Sequence, residues 1–312
     1  MGGRPVVGAT VLVGPFTSPV DERGKSFEGI STDAKVWMAG RSPWLQSCYK
    51  WLHFESLSLK SSGILANGQV VPGAGFRMQL PPLTNGWILS RYKRFLADVE
   101  LTDGRKVTAH VPNTGRMTGC WRPGAPVQLS HSDDPRRKLA WTLERVDMGA
   151  GWVGVNTQRV NEVVAEAIEM GRIPSLAGYE RLLREVKWSE GELGGRLDLV
   201  LEGGGRPRVW IEVKNTTLVC GDAVCFPDAV TTRGRKHLEL LARLRELGER
   251  AVILYAVNRP EGAHFEPAAQ VDPQYAQALR RVQAGGVEVL ALRLRHRATA
   301  IEGTGLLPVV LS

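Results

Sequence analysis

Cysteine is scarce in this 312-residue chain: Cys48, Cys120, Cys220 and Cys225 are too few and too scattered for a disulfide framework and suit a reducing interior. Cys220 and Cys225 are separated by four residues, and no second pair completes a tetrahedral zinc site. No run of about 18 apolar residues occurs, which excludes a membrane-spanning helix. The chain opens without a charged segment, an apolar core and a small-residue cleavage site, so the cytoplasm is the expected compartment. Internal repeats are lacking too. With 43% hydrophobic and 23% charged residues, the chain is not fully disordered or collagen-like, and its length suggests two domains.

Acidic residues are the scarcer charge, 32 Asp and Glu against 40 Lys and Arg, for a net charge of +8. Residues 1–77 contribute +3, residues 78–150 contribute +4 and residues 151–312 only +1, so the middle stretch is a compact basic block. A basic face on one module attracts polyanions through phosphate contacts and counterion release, although charge alone fits a solvated surface equally well.

Residues 1–77 hold 11 Gly, 5 Pro and 9 Ser with no sustained period, and read as a weakly ordered or non-native extension. Trp37, Trp44 and Trp51 recur every seven residues, but Pro43 interrupts them and argues against a heptad helix. From Trp87 onward, short strand signals follow in quick order. Ala97–Leu101 and Lys106–Val111 flank a Thr-Asp-Gly turn, and strands are expected at Pro126–His131, Leu139–Val146 and Gly151–Asn156. Five short strands without helical period suggest a small barrel or sandwich over 78–150. After Asn156 the pattern alternates: helices at Asn161–Met170, Thr232–Leu247 and Pro273–Ala284, and strands at Leu197–Leu201, Val209–Leu218, Ala251–Ala256 and Val287–Leu292. That order predicts an α/β sheet covered on both faces over 151–312.

The sharpest feature lies between Arg196 and Asn215. Asp198 sits in one apolar strand, Glu212 and Lys214 in the next, and Gly203-Gly204-Gly205 supplies the turn. In an antiparallel hairpin centred near Gly205, Asp198 faces Glu212, and Lys214 projects from the same side as Glu212. Two carboxylates gathered in an apolar setting are costly unless a cation bridges them, and together they form an oxygen-ligand site for Mg²⁺ or Mn²⁺. Lys214 can orient an acidified water or stabilise charge growing on a phosphate. This is the Asp…Glu-x-Lys arrangement of PD-(D/E)XK nucleases, in which a carboxylate from a preceding helix often completes the set. Glu166 is the expected third group, with Glu162 second. A solvated surface hairpin would carry the same three residues.

Several basic stretches surround this motif in the sequence. Arg91-Tyr92-Lys93-Arg94-Phe95 interleaves cations with aromatics as single-strand-binding grooves do, and Arg136-Arg137-Lys138 is a second cluster. Pro112-Asn113-Thr114-Gly115-Arg116-Met117 has the composition of a functional loop. Thr231 or Thr232 can cap a helix that places Arg233, Arg235, Lys236 and His237 in its first turns, where anions bind. Ordinary capping with a solvated basic turn is the plainer account of the same residues.

Together these stretches resemble the sugar fermentation stimulation protein A (SfsA) family. The matching segments are RYKRFLADVEL (91–101), PNTGRMTGC (112–120), RKLAWTLE (137–144), WVGVNT (152–157), IEVKNTTL (211–218), FPDAVTTRGRKHL (226–238), VDPQYAQALR (271–280) and GVEVLA (286–291). Met78-Gln79-Leu80-Pro81-Pro82-Leu83 resembles a usual start of this family. Val111 stands where a cysteine is common, and Gly194-Gly195 replaces a serine-containing approach to Asp198. The resemblance implies an α+β, two-domain protein, with an N-terminal OB-like β-barrel followed by an α/β PD-(D/E)XK nuclease-like domain. It also implies a bacterial DNA-binding protein linked to regulation of sugar (maltose) metabolism.

The expected nuclease-like set is Glu166, Asp198, Glu212 and Lys214, with Mg²⁺ or Mn²⁺ held by Asp198, Glu212 and Glu166. The expected DNA contacts are Arg91, Lys93, Arg94, Asn113, Arg116, Arg136, Arg137, Lys138, Arg233, Lys236 and His237, on DNA that is double- or single-stranded, or on RNA. Two classes of function follow, a DNA-binding module on a nuclease-like scaffold and an active metal-dependent nuclease. Fold alone does not separate them.

Overall fold

The computed structural model describes residues 78–311, all within one compact unit. The expectations for residues 1–77 lie outside the described residues. The first layer is a barrel of β2 (Leu83–Tyr92), β3 (Leu96–Leu101), β4 (Lys106–His110), β5 (Pro126–His131) and β6 (Trp141–Asp147), in the order β4-β3-β2-β5-β6. A parallel pairing of Ala109 with Trp141 and His110 with Thr142 closes it. That order and closure are those of an OB fold. Alternation drives it: Ala97, Val99 and Leu101 on β3 point inward and meet Ile88, Val127, Leu129 and Leu143 in one buried core. Gly86 in β2 has no room for a side chain, because a Cβ there would lie 2.6 Å from the Glu100 carbonyl oxygen.

The barrel's boundaries differ from expectation at both ends. β1 (Met78–Gln79) pairs with β16 (Ala300–Leu307) of the C-terminal sheet, since Met78 and Leu80 are buried in that sheet's core and not in the barrel. β7 (Trp152–Gly154) is the barrel's last strand, pairing with β6 past residue 150.

The second layer is a seven-stranded mixed sheet, ordered β1-β16-β15-β13-β10-β9-β8, built from β8 (Arg181–Glu190), β9 (Leu193–Glu202), β10 (Val209–Thr216), β13 (Arg250–Val257) and β15 (Glu288–His296) with β1 and β16. Alternation on β13 sends Val252, Leu254 and Ala256 toward α1 (Val160–Glu169). Ala251, Ile253 and Tyr255 point the other way, toward α2 (Thr232–Glu246) and α3 (Pro273–Ala284). The sheet is therefore covered on both faces, which explains the near-continuous apolar run of β13. A small sheet of β11 (Leu218–Cys220), β12 (Ala223–Phe226) and β14 (His264–Pro267) flanks it.

Caps set the helix starts. The Thr231 hydroxyl accepts from the Gly234 amide (3.0 Å), and Asp272 accepts from the Tyr275 amide (3.0 Å) ahead of Pro273. Asp272 also accepts from the Thr231 amide and pairs with Arg235, which ties the starts of α2 and α3 together.

Barrel and sheet are joined by buried polar contacts. Arg145 of β6 is 1% exposed and donates to the carbonyls of Arg297 (2.6 Å) and Ala298 (3.1 Å). The Gly154 amide bonds the Asn258 carbonyl (2.8 Å). The Met117 amide donates to Asp228 Oδ2 (2.9 Å), pinning the barrel's 112–117 loop to the segment before α2. With these donors paired across the seam, the 112–117 loop has a fixed place beside β10.

Candidate metal site and nucleic-acid interface

The strands that carry the site run in the expected register: Val209 pairs with Leu201, Trp210 with Val200 and Ile211 with Leu199, around a turn whose three glycines all have positive φ. Beyond Leu199 the ladder opens, and the Asp198 side chain fills the gap. Its Oδ2 accepts from the Val213 amide (2.7 Å) and its Oδ1 from Asn161 Nδ2 (2.8 Å). Leu197 and Val200 both join the α2-side core, so strict alternation breaks at Asp198. Glu212 and Lys214 lie on the α2 side of β10, where Glu212 Oε1 accepts from Lys214 Nζ (2.5 Å) and from His237 Nδ1 on α2. Arg233 Nε donates to His237 Nε2 (3.3 Å), and Lys214 Nζ lies 3.4 Å from His237 Nδ1.

The third carboxylate is not where the motif placed it. Glu166 Oε2 accepts from the Met78 amide (2.7 Å), and the charges acting on Glu166 are those of Glu162, Glu169 and Glu302. Glu162 is exposed. The α1 side chain that reaches Asp198 is Asn161, one turn and more before Glu166. Five residues of helix carry the backbone about 7.5 Å further from the site. Asn161 was missed because a neutral amide carries no charge pattern. Its only sequence clue is its place at the first turn of the helix before the motif.

Burial, and then the nearby Glu212 charge, raise the Asp198 pKa, against the lowering effect of its hydrogen bonds from Val213 and Asn161. For Glu212, burial alone would raise the pKa, but the hydrogen bond to His237 and the Lys214 charge outweigh it and hold the carboxylate below its ordinary value. Glu212 therefore stays ionised at neutral pH. Its Oε2 is buried with no hydrogen-bond partner. An orphaned carboxylate oxygen beside a second carboxylate is a donor set suited to a hard divalent cation, which takes oxygen ligands and keeps waters. Among the described residues, no cluster of three His, Cys, Asp or Glu side chains stands ready for a metal, so the protein's own acidic donors there are Asp198 and Glu212.

Arg91 also has a different part from the one expected. Its Nη groups donate to the carbonyls of Arg94 (2.5 Å), Asn113 (3.0 Å), Gly115 (2.9 Å) and Arg116 (3.3 Å), so they hold two loops together instead of facing solvent, while Nε is buried without a partner. Asn113 Oδ1 accepts from the Gly115 amide (3.0 Å) and shapes the same loop. Lys93, Arg94 and Arg116 remain exposed. Lys93 and Arg94 have φ of 49° and 65°, left-handed conformations that form the tight turn between β2 and β3.

These contacts link into a continuous path. Arg91 joins the Lys93-Arg94 turn to Arg116, the Met117 amide joins that loop to Asp228, and the following α2 presents exposed Arg233 and Lys236 beside His237 and Glu212. The remaining cluster lies in the loop between β5 and β6, where Arg137 Nη2 bonds Thr142 Oγ1 (2.6 Å) and Lys138 is exposed. Arg136 there is paired with Asp134 (2.8 Å).

The models of two protein domains match the chain: "SfsA N-terminal OB domain" over residues 89–155 and "Sugar fermentation stimulation protein RE domain" over residues 158–300. A sugar fermentation stimulation protein homolog of Geobacter metallireducens is 49% identical over 235 residues, covering 75% of this chain and all of that protein. The homolog of Acidithiobacillus ferrooxidans is 48% identical over 219 residues, 70% of this chain and 93% of that one.

The chain belongs to the sugar fermentation stimulation protein family.

Among solved structures, that of Pyrococcus furiosus SfsA in complex with Ca²⁺ matches with a TM-score of 0.68 and 27% identity, covering 75% of this chain and 99% of that one. The SfsA architecture, an OB barrel followed by a nuclease-like α/β domain, is thus the fold of residues 78–311, and Asp198, Glu212 and Lys214 lie on β9 and β10, the second and third strands from the β8 edge of the second domain's sheet. No helix among the described residues is long and apolar enough to cross a membrane.

Proposed function

We propose that this chain binds DNA along the basic path from the β2–β3 turn to α2 and holds a divalent metal ion at Asp198 and Glu212. The observation that carries this reading is the buried, partnerless Glu212 Oε2 beside Asp198, at the end of a run of exposed cations. Lys93, Arg94, Arg116, Arg233 and Lys236 would contact phosphates, with Arg137 and Lys138 extending the footprint. Arg91 and Asn113 would shape the loops that present them. The Ca²⁺ in the Pyrococcus furiosus relative supports a site for hard cations here, and Mg²⁺ or Mn²⁺ fits the same donors. Three free thiols among the described residues agree with action in the cytoplasm. The relatives are named for stimulating sugar fermentation, and a part in regulating sugar (maltose) metabolism through DNA belongs to this proposal.

Lys214 favours a second reading, an active nuclease. When bound, a divalent ion acidifies a water and offsets phosphate charge. Lys214, paired to Glu212, would hold a phosphate oxygen or orient the attacking water, while Glu212, kept ionised by His237 and Lys214, would accept its proton. The deciding experiment measures DNA binding in Ca²⁺ and strand cleavage in Mg²⁺ or Mn²⁺, with the wild type, Asp198→Asn and Lys214→Ala. Binding in all three proteins with intact DNA throughout leaves the binding module. Cleavage by the wild type alone establishes the nuclease. Absence of binding at any salt concentration refutes both.

A further inference from the structure

Where the barrel's 112–117 loop meets the ends of β10 and β12 lies a cleft of about 160 Å³, open to solvent on one side and lined by Asn113, Asn215, Leu218, Phe226 and Asp228 among others. We infer that this cleft receives one unpaired pyrimidine ring of a bound nucleic-acid strand. The inference rests on the DNA-binding reading above and names the part of the ligand that this reading leaves open.

Size is the first argument. A cavity of roughly 150 Å³ accepts a benzene ring, so the cleft admits one six-membered ring, and the second ring of a purine has to stay outside. Leu218 and Phe226 supply apolar walls, and Phe226 is held in place by the rings of Tyr255 and Tyr275, at centroid distances of 5.6 and 5.3 Å.

Hydrogen bonding is the second. Three lining side chains each have one polar atom fixed by the protein and the other left without a protein partner. Asn215 Oδ1 accepts from Asn258 Nδ2 (3.0 Å), which leaves Asn215 Nδ2 as a donor. Asn113 Oδ1 accepts from the Gly115 amide, which leaves its Nδ2 as a second donor. Asp228 Oδ2 accepts from the Met117 amide, which leaves Oδ1 as an acceptor. Two donors and one acceptor complement the Watson–Crick edge of cytosine, thymine or uracil, each of which offers two acceptors and one donor group. Guanine offers the opposite set.

Position is the third argument. Asn215 directly follows Lys214 on β10 with its side chain on the opposite face of the strand, so a base in the cleft lies one residue along β10 from the proposed metal-site residues. Extracting a base from a paired duplex costs a few kcal/mol, and least where it is already unpaired. Single-stranded or mismatched DNA is therefore the preferred ligand.

The test uses the full chain in Ca²⁺ and fluorescence anisotropy with single-stranded oligonucleotides of dC, dT or dA. The wild type should favour a pyrimidine strand by about tenfold, the scale of one well-placed base contact. Asp228→Asn and Asn215→Asp each turn the free atom into the opposite hydrogen-bonding type while keeping the oxygen that accepts from Met117 or Asn258. In both, the pyrimidine-to-purine ratio should fall toward one. Each variant is checked for a cooperative melt, and if one fails to fold the other decides. Equal affinity of the wild type for all three strands, or a preference that survives in the folded variants, overturns the inference and leaves the DNA-binding reading standing. Failure of the wild type to bind any strand overturns both.

Discussion

The substitution Glu212→Gln separates the ion-pair part of this carboxylate from the metal-ligand part proposed for it. Without metal, Glu212 is 3% exposed and its Oε1 holds both Lys214 Nζ and His237 Nδ1. Glutamine keeps an acceptor there but removes the charge, leaves Lys214 without its counterion and puts an amide NH₂ where Oε2 already lacks a partner. Removing one partner of a buried ion pair costs about 3–5 kcal/mol. Relief of the Glu212 charge on Asp198 offsets part of this, so the expected loss is about 3 kcal/mol, or roughly 6–12 °C in Tm for a domain of this size. With metal the two proteins diverge further. Free ion at 100 times its Kd should stabilise the wild type by about 2.7 kcal/mol, a rise of roughly 5–11 °C. The variant should show almost none. Calorimetric melts in EDTA and in a Ca²⁺ series measure both effects. A variant as stable as the wild type in EDTA refutes the ion-pair argument, and a Ca²⁺-dependent rise that persists in the variant places the ion elsewhere.

Glu166→Gln tests the displaced third carboxylate: Ca²⁺ affinity by calorimetry should match the wild type, since Glu166 bonds the Met78 amide and not Asp198 or Glu212, the proposed metal ligands. Burial raises the Glu166 pKa, so its proton is held more tightly in the fold, and stability from this group is full at low pH and lost as pH rises through the folded pKa. The Gln variant should therefore lose less stability than the wild type between pH 4 and neutrality, as read by urea unfolding. His296 acts in the opposite sense. Burial and the Arg145 charge depress its pKa from 6.5 to about 3, so its stabilising effect is full above about pH 6.5 and lost on acidification at about 1.4 kcal/mol per pH unit. In His296→Gln, urea unfolding from pH 7 to 4.5 should show a slope smaller by about one proton, and an unchanged slope rejects the assignment. Lys93→Glu with Arg94→Glu should weaken DNA binding and reduce the salt slope by about 2. Arg91→Met should instead lower stability by about 2 kcal/mol through its lost carbonyl contacts. The same salt slope loss in both would return Arg91 to the phosphate-binding surface.

What the sequence made legible was periodic or punctuated. α3 spans Pro273–Ala284 as expected because Asp272-Pro273 starts it and Gly285 ends it. The register around Gly205 follows from three consecutive glycines between two apolar strands. β8 was illegible because it is an edge strand of the sheet. Arg181–Glu190 is mostly exposed and half charged, so its pairing with β9 comes from backbone hydrogen bonds and carries little apolar signal. The Lys93-Arg94 turn reads in sequence as a cationic cluster, and nothing in it marks the left-handed backbone that makes a hairpin tip. Glu166 was drawn to the site by its charge. Its actual partner, the Met78 amide, lies 88 residues away, a distance over which sequence pattern has no reach.

The charge balance of the site has a consequence for the order of binding. Asp198 and Glu212 face Lys214 at close range, and Asn161 adds no charge. With both carboxylates ionised, the group carries about one net negative charge, which repels a phosphodiester until a cation arrives. A divalent ion reverses that sign. Mg²⁺ held by only one or two carboxylates normally completes its shell with waters and substrate phosphates. Metal and DNA should then each tighten the other's binding by the same factor, because linkage between two ligands is reciprocal. On the proposed reading the basic path would hold DNA by itself through phosphate contacts, whereas placing a phosphate against Lys214 would require the ion. Association and any chemistry would then depend on separate sets of residues, so that one could be lost while the other persists.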